Sequence, residues 1–320
     1  MQQCSLSTWQ YTGVDSGASE GPARRQEAAV AQLAAPESYW QPESLESRDV
    51  LPSPVTSVLT DFTAIAHLPP AEQRGPATVT VSIVSHEHDL LIEKLMAQLC
   101  DVHGGLIAHV VLTHNLRAGP VPTPPNGWPF KLTQVFNETP AGFGTNHNRA
   151  FELCRTNFFC VLNPDIELCD SSVWPRLLQC MADPDVGCAY PSLLNADGTQ
   201  QENEREVVTP FALVRRHVLK SPQRRADWAS AAFWLVSARA WRSLGGFDEG
   251  YYMYCEDVDF CLRLQMDGWK LVRADATAIH YAGWSSRQIG TYLAWHLSSL
   301  VRLWLQPTLR RYLTWRLEHV

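Results

Sequence analysis

The chain has 320 residues, 45% of them apolar, and a formal net charge of −7. That length holds one large domain or two small ones, and the negative balance argues against nucleic acid as a partner. Nine cysteines are scattered with no Cys-x-x-Cys pair, which speaks against a zinc knuckle or disulfide framework and for the reduced thiols of a cytoplasmic protein. No run approaches ~18 apolar residues and the start is not basic-then-apolar, so neither a membrane span nor a signal peptide is expected.

Residues 1–76 are rich in proline, serine, glutamate and glutamine, with poor apolar periodicity. Short helices are conceivable at Gln26–Ala35 and Ser57–His67, but the composition predicts a poorly ordered or loosely attached extension. Val79–Ser85 is a β-branched apolar run that reads as a strand buried on both faces. Asp89 is placed to cap a helix with Leu91, Leu95 and Leu99 along one face. Strands follow at Ile107–Thr113, ending in His114-Asn115, and at Lys131–Phe136. A helix runs from the Gly142–Asn148 stretch through Arg155, and a strand at Phe158–Leu162 ends in Asn163-Pro164-Asp165. Alternating strand and helix predicts a parallel α/β sheet, whose ligands sit at the carboxyl ends of strands. Ser85-His86, Thr113–Asn115 and Asn163–Asp165 all fall at such ends.

The second half is less regular. Strands are expected at Gly187–Leu194, Phe233–Ser237, Lys270–Ala274 and again at Ala278–His280. Helices are expected at Thr209–Leu219, at Arg239–Leu244 with a glycine stop, and from Glu256 to Gly268. From Arg287 onward the pattern is helical, with Leu293, Leu297, Leu300, Val301 and Trp304 on one stripe and Pro307 starting a new helix. Arg310, Arg311 and Arg316 among Tyr312 and Trp315 fit a helix lying on an anionic membrane; a helix packed on the domain with a solvated basic face fits the same pattern.

The densest chemistry is Tyr251–Arg263, where Glu256, Asp257 and Asp259 open a helix after an aromatic run. Acids in a first turn are favoured by the helix dipole, which is the purely structural reading. The Gly245–Glu249 turn just before them, and the distant acidic turn at Asp165, point instead to a site that holds a metal and deprotonates a hydroxyl.

Several motifs in order carry a family resemblance: Ser82-Ile-Val-Ser-His86, Leu112-Thr-His-Asn115, Gly142-Phe-Gly-Thr-Asn-His-Asn-Arg-Ala-Phe151, Phe159-Cys-Val-Leu-Asn-Pro-Asp165, Gly245-Gly-Phe-Asp-Glu249, Glu256-Asp-Val-Asp-Phe-Cys-Leu-Arg263 and Trp295-His-Leu-Ser-Ser-Leu-Val-Arg302. Over about residues 79–305 the chain resembles bacterial family-two glycosyltransferases, in particular the O-antigen rhamnosyltransferase branch. The resemblance implies a GT-A α/β domain at 77–283, with a mostly parallel sheet flanked by helices, followed by amphipathic helices at 284–320. It also implies a nucleotide-sugar donor, with dTDP-L-rhamnose expected and a UDP-hexose the alternative. The expected acceptor is a saccharide or lipid-linked sugar, the metal Mg²⁺ or Mn²⁺, and the location cytoplasmic with possible peripheral contact on the inner membrane face.

By the same resemblance Asp165 is a metal ligand, the last acid of an Asp-x-Asp motif whose first acid is here Asn163. His280 matches a further metal ligand, against the alternative of a buried histidine satisfied by the backbone. Asp257 matches the general base. Ser85, His86, Thr113 and Asn115 are expected to line the nucleotide pocket, and Gly142, Gly144, Asn146 and Asn148 to let backbone and amide groups approach the donor. For each taken singly, an ordinary loop residue is the competing reading. Arg205 is a candidate for holding diphosphate or acceptor. Ala231 stands where the branch carries glycine, and Tyr281–Arg287 is less polar than in the branch. The second departure leaves donor or acceptor choice open, and Ala231 is the feature that most invites a non-catalytic, nucleotide- or partner-binding protein of the same fold.

Overall fold

The computed structural model describes residues 78–319, apart from 103, 117–118, 210–211, 213–224 and 282–288. The expectations for 1–76, for nearly all of the Thr209–Leu219 helix and for the segment just after Tyr281 therefore lie outside the described residues.

Strands β1 (Val79–Ser85), β2 (Ile107–His114), β3 (Lys131–Phe136) and β4 (Phe158–Leu162) lie close to their expected places. Helix α1 (Asp89–Cys100) joins the first pair; its N-cap position is His88 rather than the expected Asp89, with no side-chain cap. Its buried stripe is Ile92, Leu95, Met96 and Leu99, one step round from the face read through Leu91. Helix α2 (Phe143–Phe151) ends a turn earlier than expected. The acidic turn after β4 leads at once into β5 (Ile166–Leu168), then α3 (Val173–Cys180) and β6 (Val186–Leu194). Neither β5 nor α3 was legible in the sequence.

A small antiparallel pair, β7 (Glu204–Arg205) and β8 (Trp228–Ala229), precedes β9 (Phe233–Ser237) and α4 (Ala238–Leu244). Gly245 stops α4 at φ 73°, a left-handed value that glycine takes without strain. Helix α5 (Glu256–Met266) follows. The two expected late strands are one continuous β10 (Lys270–His280). Helices α6 (Ile289–Leu305) and α7 (Pro307–His319) close the chain, with Pro307 at the first position of α7, where its missing N–H costs nothing.

Eight strands form one sheet in the order β3-β2-β1-β4-β9-β6-β10-β5. β1 is parallel to β2 and β4, β3 to β2, and β10 to β6. β9 runs antiparallel between β4 and β6, and β5 antiparallel to β10. This is the mostly parallel α/β sheet expected of a GT-A domain. The carboxyl ends of β1, β2, β4, β6 and β10 therefore open on one edge, and the start of β9 lies on that edge too.

All seven β1 residues are buried, the hydroxyls of Thr80, Ser82 and Ser85 included, as in a strand covered on both faces. One core packs α1 and α3 onto the sheet through Leu95, Met96 and Trp174. Another packs α2, α4 and α5 through Ala150, Trp241 and Phe260 around Trp234 and Phe247. A third joins α5 to α6 and α7 through Val258, Leu262, Leu303, Leu309 and Tyr312. Each such large side chain contributes roughly 1.5–3 kcal/mol on burial.

Candidate active site

β9 pairs antiparallel with β4, so Phe233 lies opposite Leu162 and the preceding Ala231-Ala232 dipeptide reaches the acidic turn. The Asn163 N–H donates to Ala232 O at 2.8 Å. On the other side the Ala231 backbone lies close enough to the Asp257 carboxylate to lower its proton affinity. Two alanines thus tie Asn163–Asp165 to the start of α5, which the sequence places about ninety residues away. Ala231 acts here through its backbone, which its methyl group does not remove.

The turn after β4 brings Asp165 beside His280, the last residue of β10, because Ile166 pairs with His280 and the Tyr281 N–H donates to Asp165 O at 3.0 Å. His280 Nε2 lies 3.4 Å from Asp165 Oδ1, an oxygen that is buried and has no hydrogen-bond partner. His280 Nδ1 is 2.7 Å from Gln201 Oε1. One nitrogen and one oxygen at this spacing match, to within a few tenths of an ångström, the roughly 3 Å that separates adjacent ligands around a small divalent cation with bonds of about 2.1 Å. Among the described residues no cluster of three or more His, Cys, Asp or Glu side chains could hold a metal by itself. Asp165 and His280 thus suit a cation that takes its other ligands from phosphate and water.

The three acids of α5 occupy different environments. Asp259 is buried and paired with Arg263 at 2.6 Å, and that guanidinium also donates to Leu244 O and Gly246 O at 2.9 Å. The i,i+4 spacing of this pair was visible in the sequence. Glu256 is buried with Oε2 unpartnered; burial pushes its carboxyl well above the usual range, and neighbouring Asp257 adds to the push. Asp257 is raised to about 6 by burial, against the opposing pull of the Val258 and Ala231 backbone and the Arg205 charge. It is half-buried. Just ahead of these acids Tyr254 and Cys255 take left-handed φ values of 70° and 66°. Two consecutive non-glycine residues in that region are strained, and the surrounding structure must hold them. Ser299 Oγ donates to Met253 O at 2.7 Å, while Tyr252 and Tyr254 pack on Trp295 and His296 of α6.

The expected nucleotide residues divide. Ser85 and Thr113 are buried at the carboxyl ends of β1 and β2, and Ser85 Oγ accepts from the His88 amide at 3.2 Å. His86 lies with its ring 3.2 Å from Asn115 Nδ2, and burial with neighbouring His88 lowers it to about 4, so it is neutral. Asn115 is fully buried, and both ends of its amide are engaged: Nδ2 donates to Ala141 O at 2.9 Å, and Oδ1 accepts from Ala141 N and Asn137 Nδ2. Asn148 clamps the glycine turn, donating to Phe247 O and Glu249 and accepting from Phe247 N at 2.9 Å. Gly142 and Gly144 let α2 dock: a Cβ at Gly142 would stand 2.8 Å from Tyr252 O, and one at Gly144 2.7 Å from Phe247 Cβ. Asn163 is half-buried beside Asp165, with its amide used by Ala232. Residues that sequence reasoning missed are Gln201 and the backbone of Ala231. No local pattern marks either, because each acts through a contact set by the sheet order.

No protein-family model matches the chain. It is 30% identical over 196 residues to an N-acetylglucosaminyl-diphospho-decaprenol L-rhamnosyltransferase of Mycobacterium tuberculosis, covering 55% of this chain and 64% of the relative. It is 44% identical over 78 residues to the rhamnosyltransferase WbbL of Escherichia coli, covering 24% of this chain and 30% of that protein. The chain is related in sequence to bacterial rhamnosyltransferases. The match spans less than two thirds of the length of these relatives. Among solved structures, the mannosyltransferase PcManGT from Pyrobaculum calidifontis, in complex with GDP-Man and Mn²⁺, aligns with a TM-score of 0.48 at 17% identity, over 70% of this chain and 64% of that one.

Proposed function

We propose that the chain is an inverting glycosyltransferase that moves L-rhamnose from dTDP-L-rhamnose to a lipid-linked or growing saccharide in cell-surface polysaccharide synthesis. The observation that carries this reading is the Ala231-Ala232 bridge, which sets the Asp165–His280 pair and Asp257 on the same edge of the sheet. The mycobacterial and Escherichia coli relatives, both named as rhamnosyltransferases, support the sugar.

In this reading the nucleotide lies over the carboxyl ends of β1 and β2, beside Ser85, His86 and Thr113, and its diphosphate reaches Asn163 and Asp165. Asp165 and His280 hold Mg²⁺ or Mn²⁺, which supplies neutralisation of the charge that builds on the leaving diphosphate. Asp257 accepts the proton of the attacking acceptor hydroxyl; its raised affinity for a proton suits a base working near neutrality. Arg205, whose charge reaches Asp257, keeps part of that carboxylate ionised. Direct displacement from dTDP-β-L-rhamnose gives an α-rhamnoside.

A peripheral membrane position goes with a lipid-linked acceptor. No described helix is long and apolar enough to cross a membrane. Helix α6 nevertheless exposes Leu293, Leu297, Val301 and Leu305 in steps of four, and Arg310 and Arg311 are exposed on α7. This apolar face with nearby cations fits the surface of an anionic leaflet on the cytoplasmic side.

The deciding experiment is release of nucleoside diphosphate from a panel of nucleotide sugars, with and without EDTA. Turnover confined to dTDP-rhamnose and abolished by chelator supports the assignment. Preference for a UDP-hexose moves it to another donor, full activity in chelator removes the metal, and no turnover with any donor favours a non-catalytic binding protein.

A further inference from the structure

His280 presents its two ring nitrogens to different neighbours, and the position of its hydrogen decides what Asp165 faces. Nδ1 meets Gln201 Oε1 at 2.7 Å, while Nε2 lies 3.4 Å from Asp165 Oδ1. Gln201 is oriented by a line of side chains in the turn after β6. Its Nε2 donates to Asn195 Oδ1 at 3.1 Å; Asn195 Nδ2 donates to Thr199 Oγ1 at 3.0 Å; the Thr199 hydroxyl donates to Asp197 Oδ1 at 2.6 Å. The line ends in a carboxylate, which only accepts. The Thr199 hydrogen bonds also hold the Asp197 carboxyl below its usual range, so it stays ionised. Reversing the line would require both amides to turn and the single hydroxyl hydrogen of Thr199 to leave Asp197. With the direction set, Gln201 offers His280 an oxygen, and Nδ1 must carry the hydrogen.

We propose that Gln201, held by Asn195, Thr199 and Asp197, is a positioning residue that fixes His280 as the Nδ1–H tautomer and turns a bare Nε2 towards Asp165. Two lone pairs then face each other, in keeping with an Asp165 Oδ1 that is buried without a hydrogen-bond partner. At 3.4 Å the two atoms are not hydrogen-bonded, and a bare nitrogen beside a carboxylate is arranged for a cation. The proposal rests on the metal reading of this pair, and it adds the device that readies the imidazole before metal arrives. Outer partners of this kind typically change metal affinity by 10–100-fold.

The test uses the full chain without donor. Two-bond proton–nitrogen NMR of metal-free protein at about pH 8 should show the Nδ1–H tautomer at His280. Gln201→Leu should lose that signature and weaken Mn²⁺ binding, read by electron paramagnetic resonance, by about 10–100-fold. Gln201→Glu loses the donor to Asn195 but keeps an oxygen acceptor for Nδ1, and should retain the tautomer. An Nε2–H tautomer in the wild type, a signature unchanged in Gln201→Leu, or a Gln201→Glu protein that loses the signature as Gln201→Leu does overturns the proposal. A tautomer that depends on Gln201 as expected, in a protein that binds no Mn²⁺, upholds the positioning and overturns the metal reading instead.

Discussion

Three neighbouring acids with the same charge do different work because their partners differ. Asp259 is neutralised by Arg263 and belongs to the scaffold. Asp257 has no ion pair; burial raises it to about 6 against the pull of neighbouring backbone and the Arg205 charge. We therefore expect kcat/KM to fall as pH drops below about 6. Asp257→Asn should lower kcat roughly 10²–10⁴-fold and abolish that acid limb while leaving donor binding in place. A near wild-type rate in this variant would remove Asp257 as the base. The sequence has Glu256 shape the helix start or bind the acceptor; if it only favours the helix dipole, Gln in its place costs a little stability. Its burial without a partner at Oε2 reverses that expectation. A carboxyl raised above its ordinary 4.5 in the fold adds stability below that value and loses it as pH rises. Glu256→Gln mimics the protonated form, so it should raise Tm at about pH 8, by roughly 2–4 °C for each kcal/mol in a domain of this size. The gain should shrink in acid, where wild-type Glu256 itself takes up the proton. A lowered Tm at high pH would show that the dipole outweighs burial.

At the scale of elements, α2, α5 and α6 meet at the turn from Gly245 to Tyr251. Asn148 of α2 pins Phe247, Arg302 of α6 pairs with Asp248 at 2.9 Å, and the same guanidinium lies over the Tyr251 ring. These contacts hold the strained Tyr254-Cys255 backbone that aims α5. The glycines of α2 serve the same junction, since Gly142 lets Phe143 N donate to Tyr252 O at 2.9 Å. Gly142→Ala forces a Cβ against a backbone oxygen that cannot step aside cheaply. It should cost about 1–3 kcal/mol, the usual cost of overpacking. It should also lower kcat, because the start of α5 moves with Tyr252. Thermal unfolding with unchanged Tm would show that the junction is looser than its contacts suggest.

For the whole molecule, α7 separates its arginines. Arg316 reaches buried Asp227 at 3.4 Å, a carboxylate that Arg225 and Tyr312 also contact, so it belongs to the packed side of the helix. The expected basic patch is thereby reduced to Arg310 and Arg311. Replacing those two with glutamine should weaken binding to anionic vesicles by ~2 kcal/mol, about 1 per cation near the surface. Arg316→Gln should leave vesicle binding alone and cost roughly 1–3 kcal/mol of stability through a poorly satisfied Asp227. Equal vesicle binding by all variants would leave α7 as a packed helix only. Residues 1–76 are proposed to be dispensable for the catalytic domain, because their composition offers little apolar surface to a core. Removing residues 1–70 should keep Tm and donor hydrolysis; a large fall in Tm would place that segment in the fold.

What the sequence determined by itself was whatever local chemistry enforces. The β-branched run at Val79–Ser85 can only be a buried strand, Gly245 and Pro307 end and start helices, and acids at Asp165 and Asp257 stand at element ends. Short elements escaped it: β5 has three residues and carries no usable period, and α3 contains a proline at its third position. The tertiary structure alone decided which acid does what. Identical carboxylates differ through burial and partners, and those depend on β9 entering the sheet antiparallel beside β4 and on β10 ending opposite β5. Sheet order joins Ala231 to Asp257 and Gln201 to His280 across gaps of 26 and 79 residues, and local propensity carries no information over such distances.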